Sequence, residues 1–394
     1  MQAVPVTDSI NWVGAIDWNL RDFHGFETPR GSTYNAYLVK GEDKVALVDT
    51  VKVPFVPELL ERVRSVVELE AVDYIVVNHV EPDHNGGLRL VMQACPNARV
   101  VASAGGVRGV AEYHGPDLEL SAVGPDDVLD LGGLTLRFMP MPMVHWPDSM
   151  FTYCPERSCL MPNDAFGQHY TAALFDDQAS DGRLWFEAEK YFVNIIAPYC
   201  RNVAQRLDEI GKLNLPIKMI APSHGLIWRR GVADILAAYR RYAEQQTEKR
   251  VVICFDTMYD STRRLAESMG AGLADGHVPY TMYHLPTSDR SDVLTDLFGA
   301  RGFLIGSSTW HMNVLPTVAT LLEDLKTLRF KDRLVGAFGS YGWQKLNVDI
   351  IQKRAREAGF EVPLEGVLCQ WKPRETDLEK AREFGRAFAA KVKA

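Results

Sequence analysis

The stretch His79-Val80-Glu81-Pro82-Asp83-His84 decides the fold, because it places four metal-competent side chains within six residues. It directly follows Asp73-Tyr74-Ile75-Val76-Val77-Asn78, a β-branched run that predicts a strand. A strand fixes the backbone, and the loop after it can direct several side chains to one point. Two imidazoles and two carboxylates suit iron, manganese or zinc, and the missing thiolate argues against a structural cysteine-type zinc site.

Three further ligand candidates, His145, Asp164 and His224, each follow an apolar run and are widely spaced in the sequence. Taken singly, each could be a satisfied core histidine or a turn residue. With the first motif they complete a set of seven predicted metal ligands: His79, Glu81, Asp83, His84, His145, Asp164 and His224.

The second part of the chain has a different pattern. After the polar stretch 243–250, strand-like runs at 251–255, 280–283, 302–306 and 334–338 alternate with helical segments, the last of them near 376–391. This alternation predicts a doubly wound parallel sheet, which binds ligands at the carboxyl ends of its strands. We therefore predict two domains, 1–248 and 249–394.

The predicted strand ends of the second domain are rich in hydroxyl and aromatic side chains. Hydroxyls and backbone N–H groups at a helix N-terminus suit a terminal phosphate, whereas glycine and aromatic side chains suit a flat ring. Serine and threonine also serve as ordinary helix caps, and the tryptophans could simply pack. The candidate residues are Thr257, Met258, Tyr259, Asp260, Ser261, Thr262, Ser308, Thr309, Trp310, Ser340, Tyr341, Gly342 and Trp343.

Composition limits the possible partners. The 394 residues carry a net charge of −8, which argues against nucleic acid or an anionic membrane as the main partner. No apolar run approaches the ~20 residues of a membrane span, and no signal peptide is visible at the N-terminus. The six cysteines form no Cys-x-x-Cys pair, as expected of thiols in a reducing compartment. We therefore expect a cytoplasmic protein.

The motifs together resemble the flavodiiron proteins. The first motif is similar to the metallo-β-lactamase signature His-x-His-x-Asp-His, with Glu81 in place of the second His, as in the di-iron branch of that fold. A carboxylate is a harder, anionic donor that helps to hold ferric iron. The sequence segments around the other predicted ligands also match the family pattern: His145-Trp146-Pro147-Asp148-Ser149-Met150, Asn163-Asp164-Ala165-Phe166-Gly167-Gln168 and Pro222-Ser223-His224-Gly225. The resemblance extends from Val13 to the C-terminal helix.

The resemblance implies a metallo-β-lactamase-like αββα sandwich followed by a flavodoxin-like domain that binds FMN. It implies reduction of dioxygen to water, or of nitric oxide to nitrous oxide, at a non-haem di-iron site. One iron would take His79, Glu81 and His145, the other would take Asp83, His84 and His224, and Asp164 would bridge them. Glu81, Trp146 and Tyr191 would line the reaction site. The resemblance also implies a head-to-tail homodimer, or a tetramer, and an electron donor such as a rubredoxin, a reduced deazaflavin or a flavin reductase.

The sequence departs from the family pattern near the flavin and the metals. His311-Met312 replaces the usual pair of asparagines, Gln344-Lys345 replaces Ser/Gly-Gly, and Phe192 stands where relatives often carry a second tyrosine. Two alternatives stay open at this point: a dizinc hydrolase with an appended flavodoxin-like module, and an electron-transfer or sensor protein without flavin. The sequence ranks neither dioxygen against nitric oxide nor one electron donor against another.

Overall fold

A computed structural model describes residues 1–179 and 182–394 of the chain. The chain divides into two compact units, Met1–Glu244 and Gln245–Ala394. Each unit has its own sheets and its own hydrophobic core. The boundary predicted from the sequence falls a few residues later, inside the first strand of the second unit, which begins at Glu248.

The first unit contains a large mixed sheet. Its strands are β1 (Val4–Pro5), β2 (Ile10–Trp12), β7 (Tyr37–Lys40), β8 (Val45–Val48), β9 (Tyr74–Val77), β10 (Arg99–Ala102) and β11 (Leu120–Ala122), in that order across the sheet. Two small hairpin-like sheets pair β3 (Ala15–Asp17) with β6 (Ser32–Tyr34) and β4 (Asp22–Phe23) with β5 (Phe26–Glu27). Strands β8 to β11 run parallel, so their carboxyl ends lie at one edge of the sheet.

A second sheet of the same unit completes a sandwich. Its strands are β12 (Val128–Asp130), β13 (Thr135–Pro140), β14 (Met150–Cys154), β15 (Cys159–Met161) and β16 (Met219–Ile220). Apolar side chains of both sheets interdigitate, with Val48 and Val76 from the first sheet in one cluster with Phe138 and Met161 from the second. This shared core fixes the two sheets relative to each other.

Helices cover the outer faces of the sandwich. They are α1 (Val56–Arg64), α2 (Pro82–Asn85), α3 (Leu88–Ala94), α4 (Ala104–His114), α5 (Arg183–Tyr191), α6 (Cys200–Leu213) and α7 (Val232–Ala243), with a π-helical turn at Phe192–Ile196. Leu59, Leu88 and Val110 bury α1, α3 and α4 against the first sheet. On the second sheet, Phe166 packs between Phe151 and Tyr239 of α7. The predicted αββα architecture is confirmed.

The second unit is a parallel sheet with helices between its strands. The strands are β17 (Glu248–Phe255), β18 (Tyr280–His284), β19 (Ala300–Ser308), β20 (Leu334–Tyr341) and β21 (Val367–Gln370); the helices are α8 (Ser261–Asp275), α9 (Arg290–Gly299), α10 (Pro316–Thr327), α11 (Asn347–Glu357) and α12 (Glu375–Lys393). The spatial order is β18-β17-β19-β20-β21, and every pairing is parallel. The predicted flavodoxin-like sheet is confirmed, and its carboxyl ends meet at one edge.

All six cysteines are buried thiols. Among the described residues, no helix is both long and apolar enough to cross a membrane.

Candidate metal centre and flavin cleft

The seven predicted metal ligands all lie at the carboxyl ends of strands of the sandwich. His79 follows β9, Glu81 directly precedes the short helix α2, and α2 carries Asp83 and His84. His145 lies between β13 and β14, Asp164 follows β15, and His224 follows β16. Because the two sheets share one core, these strand ends converge, and all seven side chains are buried. Two adjacent groups of potential metal ligands result.

The first group consists of His79, Glu81, His145 and Asp164. His79 Nε2 lies 3.2 Å from Glu81 Oε2, and His145 Nε2 lies 3.4 Å from the same oxygen. Asp164 Oδ2 lies 3.2 Å from His145 Nε2 and 3.6 Å from His79 Nε2. Two imidazole nitrogens and two carboxylate oxygens therefore face one small volume, as a metal ion requires.

The second group consists of Asp83, His84 and His224, with the other oxygen of Asp164 beside it. Asp164 Oδ1 lies 3.0 Å from His84 Nε2 and 3.4 Å from His224 Nε2, and Asp83 Oδ2 lies 3.2 Å from His224 Nε2. Both oxygens of Asp83 and the Nε2 atoms of His84 and His224 are buried without a hydrogen-bond partner among the described residues. Buried polar atoms are rarely left so. Their convergence fits a cation, which would supply the missing partners.

Asp164 connects the two groups, because its two carboxylate oxygens face different groups. Burial alone raises the pKa of Asp164, but the neighbouring His84 and His145 outweigh burial and hold the pKa well below its ordinary value. Burial lowers the pKa of His84, but the Asp83 and Asp164 carboxylates overcome it and raise the pKa to about 9. Without metal, the Asp164 carboxylate and the His84 imidazole therefore favour each other's charged forms.

A set of buried side chains that the sequence did not single out orients the ligands. Asp148 Oδ2 accepts a hydrogen bond from His79 Nδ1 at 2.9 Å and another from the backbone N–H of Val80 at 2.8 Å. The Asp148 bond leaves His79 Nε2 to face Glu81. A carboxylate on the far ring nitrogen fixes the orientation of a ligand histidine and raises its basicity. The only hint in the sequence that Asp148 lies near the metal ligands was its position three residues after His145.

A second orienting residue, Asp49, ties two ligand loops together. Its carboxylate accepts hydrogen bonds from the backbone and side-chain amides of Asn78 at 2.8 and 3.1 Å, and from the side chain of Asn163 at 3.1 Å. Asn78 precedes His79, and Asn163 precedes Asp164. Burial raises the pKa of Asp49 above its ordinary value despite these hydrogen bonds. Asp49 therefore fixes the first motif relative to the bridging carboxylate.

The side chains expected around the reaction site also lie beside the ligands. The ring of Trp146 meets that of His79 edge-on at 5.0 Å between centroids, and the buried ring of Tyr191 lies 5.8 Å from that of His224. Sequence reasoning missed His24, whose Nε2 lies 2.7 Å from Glu81 Oε1. His24 comes from the small hairpin β4–β5, and nothing in its local sequence indicated this contact.

The second unit has an open cleft of about 830 Å³ at the carboxyl edge of its sheet. The predicted residues that line it are Met258, Tyr259, Asp260, Ser261, Ser308, Thr309, Ser340, Tyr341, Gly342 and Trp343. Arg263, Arg264, Trp371 and Lys372 also line it and were not predicted. Backbone N–H groups at the start of α8 together with cationic side chains suit a phosphate group, and the exposed Trp343 and Trp371 suit a flat ring.

Three predicted flavin residues do not line this cleft. The hydroxyl of Thr262 is buried and lies 3.2 Å from that of Ser308 and 3.1 Å from that of Ser340. Thr262 therefore joins the three loops beneath the cleft. The Thr257 hydroxyl is buried without a hydrogen-bond partner in the described part of the chain. Trp310 stacks on His311, with ring centroids 3.8 Å apart.

Comparison with known proteins agrees with both units. Residues 33–225 match the ODP family of beta-lactamases, and residues 253–385 match flavodoxin. The class is therefore a beta-lactamase-like domain joined to a flavodoxin domain. Over 396 residues the chain is 45% identical to a nitric oxide reductase of Moorella thermoacetica, covering 99% of both. It is 39% identical to an anaerobic nitric oxide reductase flavorubredoxin of Pectobacterium carotovorum, covering 98% of this chain and 78% of the relative.

Solved structures give the same result over the full length. Rubredoxin oxygen:oxidoreductase from Desulfovibrio gigas superposes with a TM-score of 0.96 at 32% identity, covering 100% of this chain and 99% of that one. The flavodiiron protein from Giardia intestinalis also gives 0.96, at 30% identity, covering 100% and 97%. The chain belongs to the flavodiiron family of oxidoreductases, as its sequence motifs predicted.

Proposed function

We propose that this chain reduces nitric oxide or dioxygen at the paired ligand groups, with electrons supplied by FMN. The observation that carries the proposal is the shared carboxylate Asp164, which faces two adjacent groups of buried ligands at 3.0 to 3.6 Å. Family membership gives the chain its cofactors, a non-haem di-iron centre and FMN. Two adjacent irons, held by these residues, would supply the two electrons needed to couple two nitric oxide molecules or to begin the reduction of dioxygen.

The proposed ligand assignment follows the distances. His79, Glu81 and His145 would hold one iron, and Asp83, His84 and His224 would hold the other. Asp164 would bridge the two. His84 is included because its Nε2 points at Asp164 Oδ1, 3.0 Å away, and not out of the site. Trp146 and Tyr191 shield the ligands from water, because both rings pack against ligand imidazoles.

Metal and spectral analysis with one matched pair of variants tests the site. We expect about two irons per chain and bound flavin in the purified protein. His79→Asn should remove oxidoreductase activity and lower the iron content while leaving the flavin absorbance unchanged. His277→Asn is the control, since His277 is exposed and adopts the left-handed conformation that Asn tolerates. Full activity and full iron content in His79→Asn would contradict the assignment.

The dizinc hydrolase alternative is weakened by two observations. Glu81 supplies a carboxylate to the first group, and the relatives compared above are reductases. The same metal analysis separates the two functions, because a hydrolase would contain zinc and needs no flavin.

We propose that FMN occupies the cleft of the second unit, with its phosphate at residues 257–262 and its ring near Ser308, Thr309 and Trp343. The cationic Arg263 and Arg264 on the same rim support a phosphate at this end. Flavin-free protein should bind FMN more tightly than riboflavin, and Ser261→Asp should remove that preference by placing a carboxylate beside the phosphate. Equal affinity of the unmodified protein for both flavins would contradict a phosphate-binding loop.

Substrate and assembly are proposed from the relatives. The relatives named nitric oxide reductases are 45% and 39% identical, and the one named rubredoxin oxygen:oxidoreductase is 32% identical, so nitric oxide is the first substrate to assay. A rubredoxin is the first electron donor to assay.

We propose a head-to-tail homodimer in which the FMN of one subunit serves the irons of the other. Mixing inactive His79→Asn and Ser261→Asp subunits should then restore activity, and heterodimers without activity would exclude this arrangement.

A further inference from the structure

The loop after β19 makes a tight turn at residues 310–313, beside the flavin cleft. Trp310 and Asn313 exchange both of their backbone hydrogen bonds, each at 2.8 Å. The two central residues, His311 and Met312, have φ angles of 47° and 62°. Two left-handed central residues are typical of a type I′ turn, which strongly prefers asparagine and glycine. Histidine and methionine are unfavourable here because their Cβ atoms clash with the backbone.

The strained turn holds an imidazole in a defined place. The His311 ring stacks on the indole of Trp310, with the ring centroids 3.8 Å apart and the planes 21° from parallel. His311 and Met312 line a cavity of about 210 Å³ together with Thr309 and Trp343. Both of these last residues also line the flavin cleft. The imidazole therefore lies at the rim of the cleft, in a conformation that the local sequence does not favour.

We propose that His311 sets the reduction potential of the flavin through the charge of its imidazole. Two-electron reduction adds two electrons and one proton to FMN and leaves one negative charge on the ring system. A nearby imidazolium stabilises that negative charge, whereas a neutral imidazole does not. Imidazole is the side chain that ordinarily changes charge between about pH 5 and 8, so a comparison of the potential at low and at high pH tests for a charge effect. The inference rests on the proposal that the cleft holds FMN.

Other charged groups surround the cleft and must be separated from His311. Asp260, Arg263, Arg264 and Lys372 line it, and the Lys345 ammonium lies 5.5 Å from the centre of the Tyr341 ring. Aspartate, arginine and lysine side chains ordinarily keep one charge between about pH 6 and 8.5. A second imidazole at this edge of the sheet is His284, at the end of β18, whose Nε2 lies 3.9 Å from Asp256 Oδ1. His284 is therefore the imidazole that needs its own control.

The experiment is a redox titration of the FMN-loaded, iron-loaded protein at about pH 6 and about pH 8.5, read from the flavin absorbance. His311→Asn should lower the potential at pH 6 and match the unmodified protein at pH 8.5. One charge at the rim should change the ratio of reduced to oxidised flavin on the order of fivefold. For a two-electron couple that corresponds to about 20 mV. Asparagine suits the left-handed turn, so this variant should keep the fold.

Two matched variants separate charge from backbone strain. Met312→Asn relieves the same turn without removing an imidazole, and His284→Asn removes the other imidazole; both should behave as the unmodified protein. A His311→Asn potential equal to that of the unmodified protein at both pH values overturns the inference, and so does an equal shift in Met312→Asn. FMN binding is titrated first. No binding contradicts the proposed function together with this inference, whereas binding with a potential independent of His311 contradicts this inference alone.

Discussion

Substitution of Asp148 by asparagine tests whether the residues around the ligands control the metal centre. Asp148 is buried, and one carboxylate oxygen accepts both the His79 Nδ1 and the Val80 N–H hydrogen bonds, at 2.9 and 2.8 Å. Burial lowers the pKa of His79, but hydrogen bonds to Asp148 and Glu81 outweigh it and raise the pKa well above its ordinary value. Asparagine keeps the shape and one acceptor oxygen but removes the negative charge that His79 faces.

The expected loss follows from the bonds that change. A hydrogen bond to a charged group contributes about 1.5–3 kcal/mol, roughly twice a neutral one, so replacing the carboxylate by an amide should cost about 1–2 kcal/mol. Since about 1.4 kcal/mol is a factor of ten, iron affinity should fall about 5- to 30-fold. Loss of such an orienting partner in other metal sites has about this effect, 10- to 100-fold. The two estimates overlap, so a result in this range would support the orienting role.

The assay is competition for ferrous iron with a chelator under anaerobic conditions, together with iron content and nitric oxide turnover. Asp126→Asn, an exposed carboxylate in the turn between β11 and β12, is the matched control and should change nothing. Asp148→Ala should lose more iron than Asp148→Asn, because it removes the oxygen that accepts both hydrogen bonds. Iron affinity of Asp148→Asn within a factor of two of the unmodified protein would refute the orienting role of Asp148.

Two further predictions concern backbone strain and protonation. Gly225→Ala should lower both the melting temperature and the iron content. Gly225 has φ +75°, and a Cβ atom there would lie 2.0 Å from Gln168 Oε1. The control is Gly211→Ala in α6, which has open space around the added Cβ and should be neutral or stabilising. Metal-free protein at pH 8 should release protons when it binds iron, measured by calorimetry in two buffers, because His84 has a pKa of about 9 and must be neutral to bind metal. The folded-state pKa of His84 lies above the ordinary 6.5, so protonated His84 stabilises the metal-free fold fully below pH 6.5, and this stabilisation is lost as pH rises through about 9. A melting temperature of the metal-free protein that rises over this pH range would contradict the prediction.

The grouping of the seven candidate ligands was predictable because they follow strands in short, dense motifs. The first motif places Glu81, Asp83 and His84 on one short segment after β9, and the other ligands each follow an apolar run. Strand positions were also readable from apolar runs, although β17 begins at Glu248 and not at Val251. Its first residues are polar, but they continue the pairing with β19 through an irregular register, which apolar periodicity does not reveal.

The orienting residues were not predictable, because their partners are distant in the chain. Asp49 and Asn163 are separated by 114 residues, and Asp148 and His79 by 69. An aspartate after a strand reads as an ordinary turn residue until the fold brings its partner to it. The hydrogen bonds of Thr262 were unpredictable for the same reason, because its hydroxyl lies within hydrogen-bond distance of Ser308 and Ser340, which are 46 and 78 residues away in the chain.

The candidate ligands follow strands of both sheets of the sandwich, so metal binding should be coupled to folding. Three buried carboxylates, Glu81, Asp83 and Asp164, lie at strand ends from different sheets, within 3.6 Å of buried imidazoles. Buried charges without full partners oppose folding, because desolvation is not offset. Metal ions joining both groups would compensate these charges and tie together loops that the sandwich core and the hydrogen bonds of Asp49 and Asp148 already hold. Removing iron should therefore loosen the carboxyl edge of both sheets, and not only the loop that loses its metal.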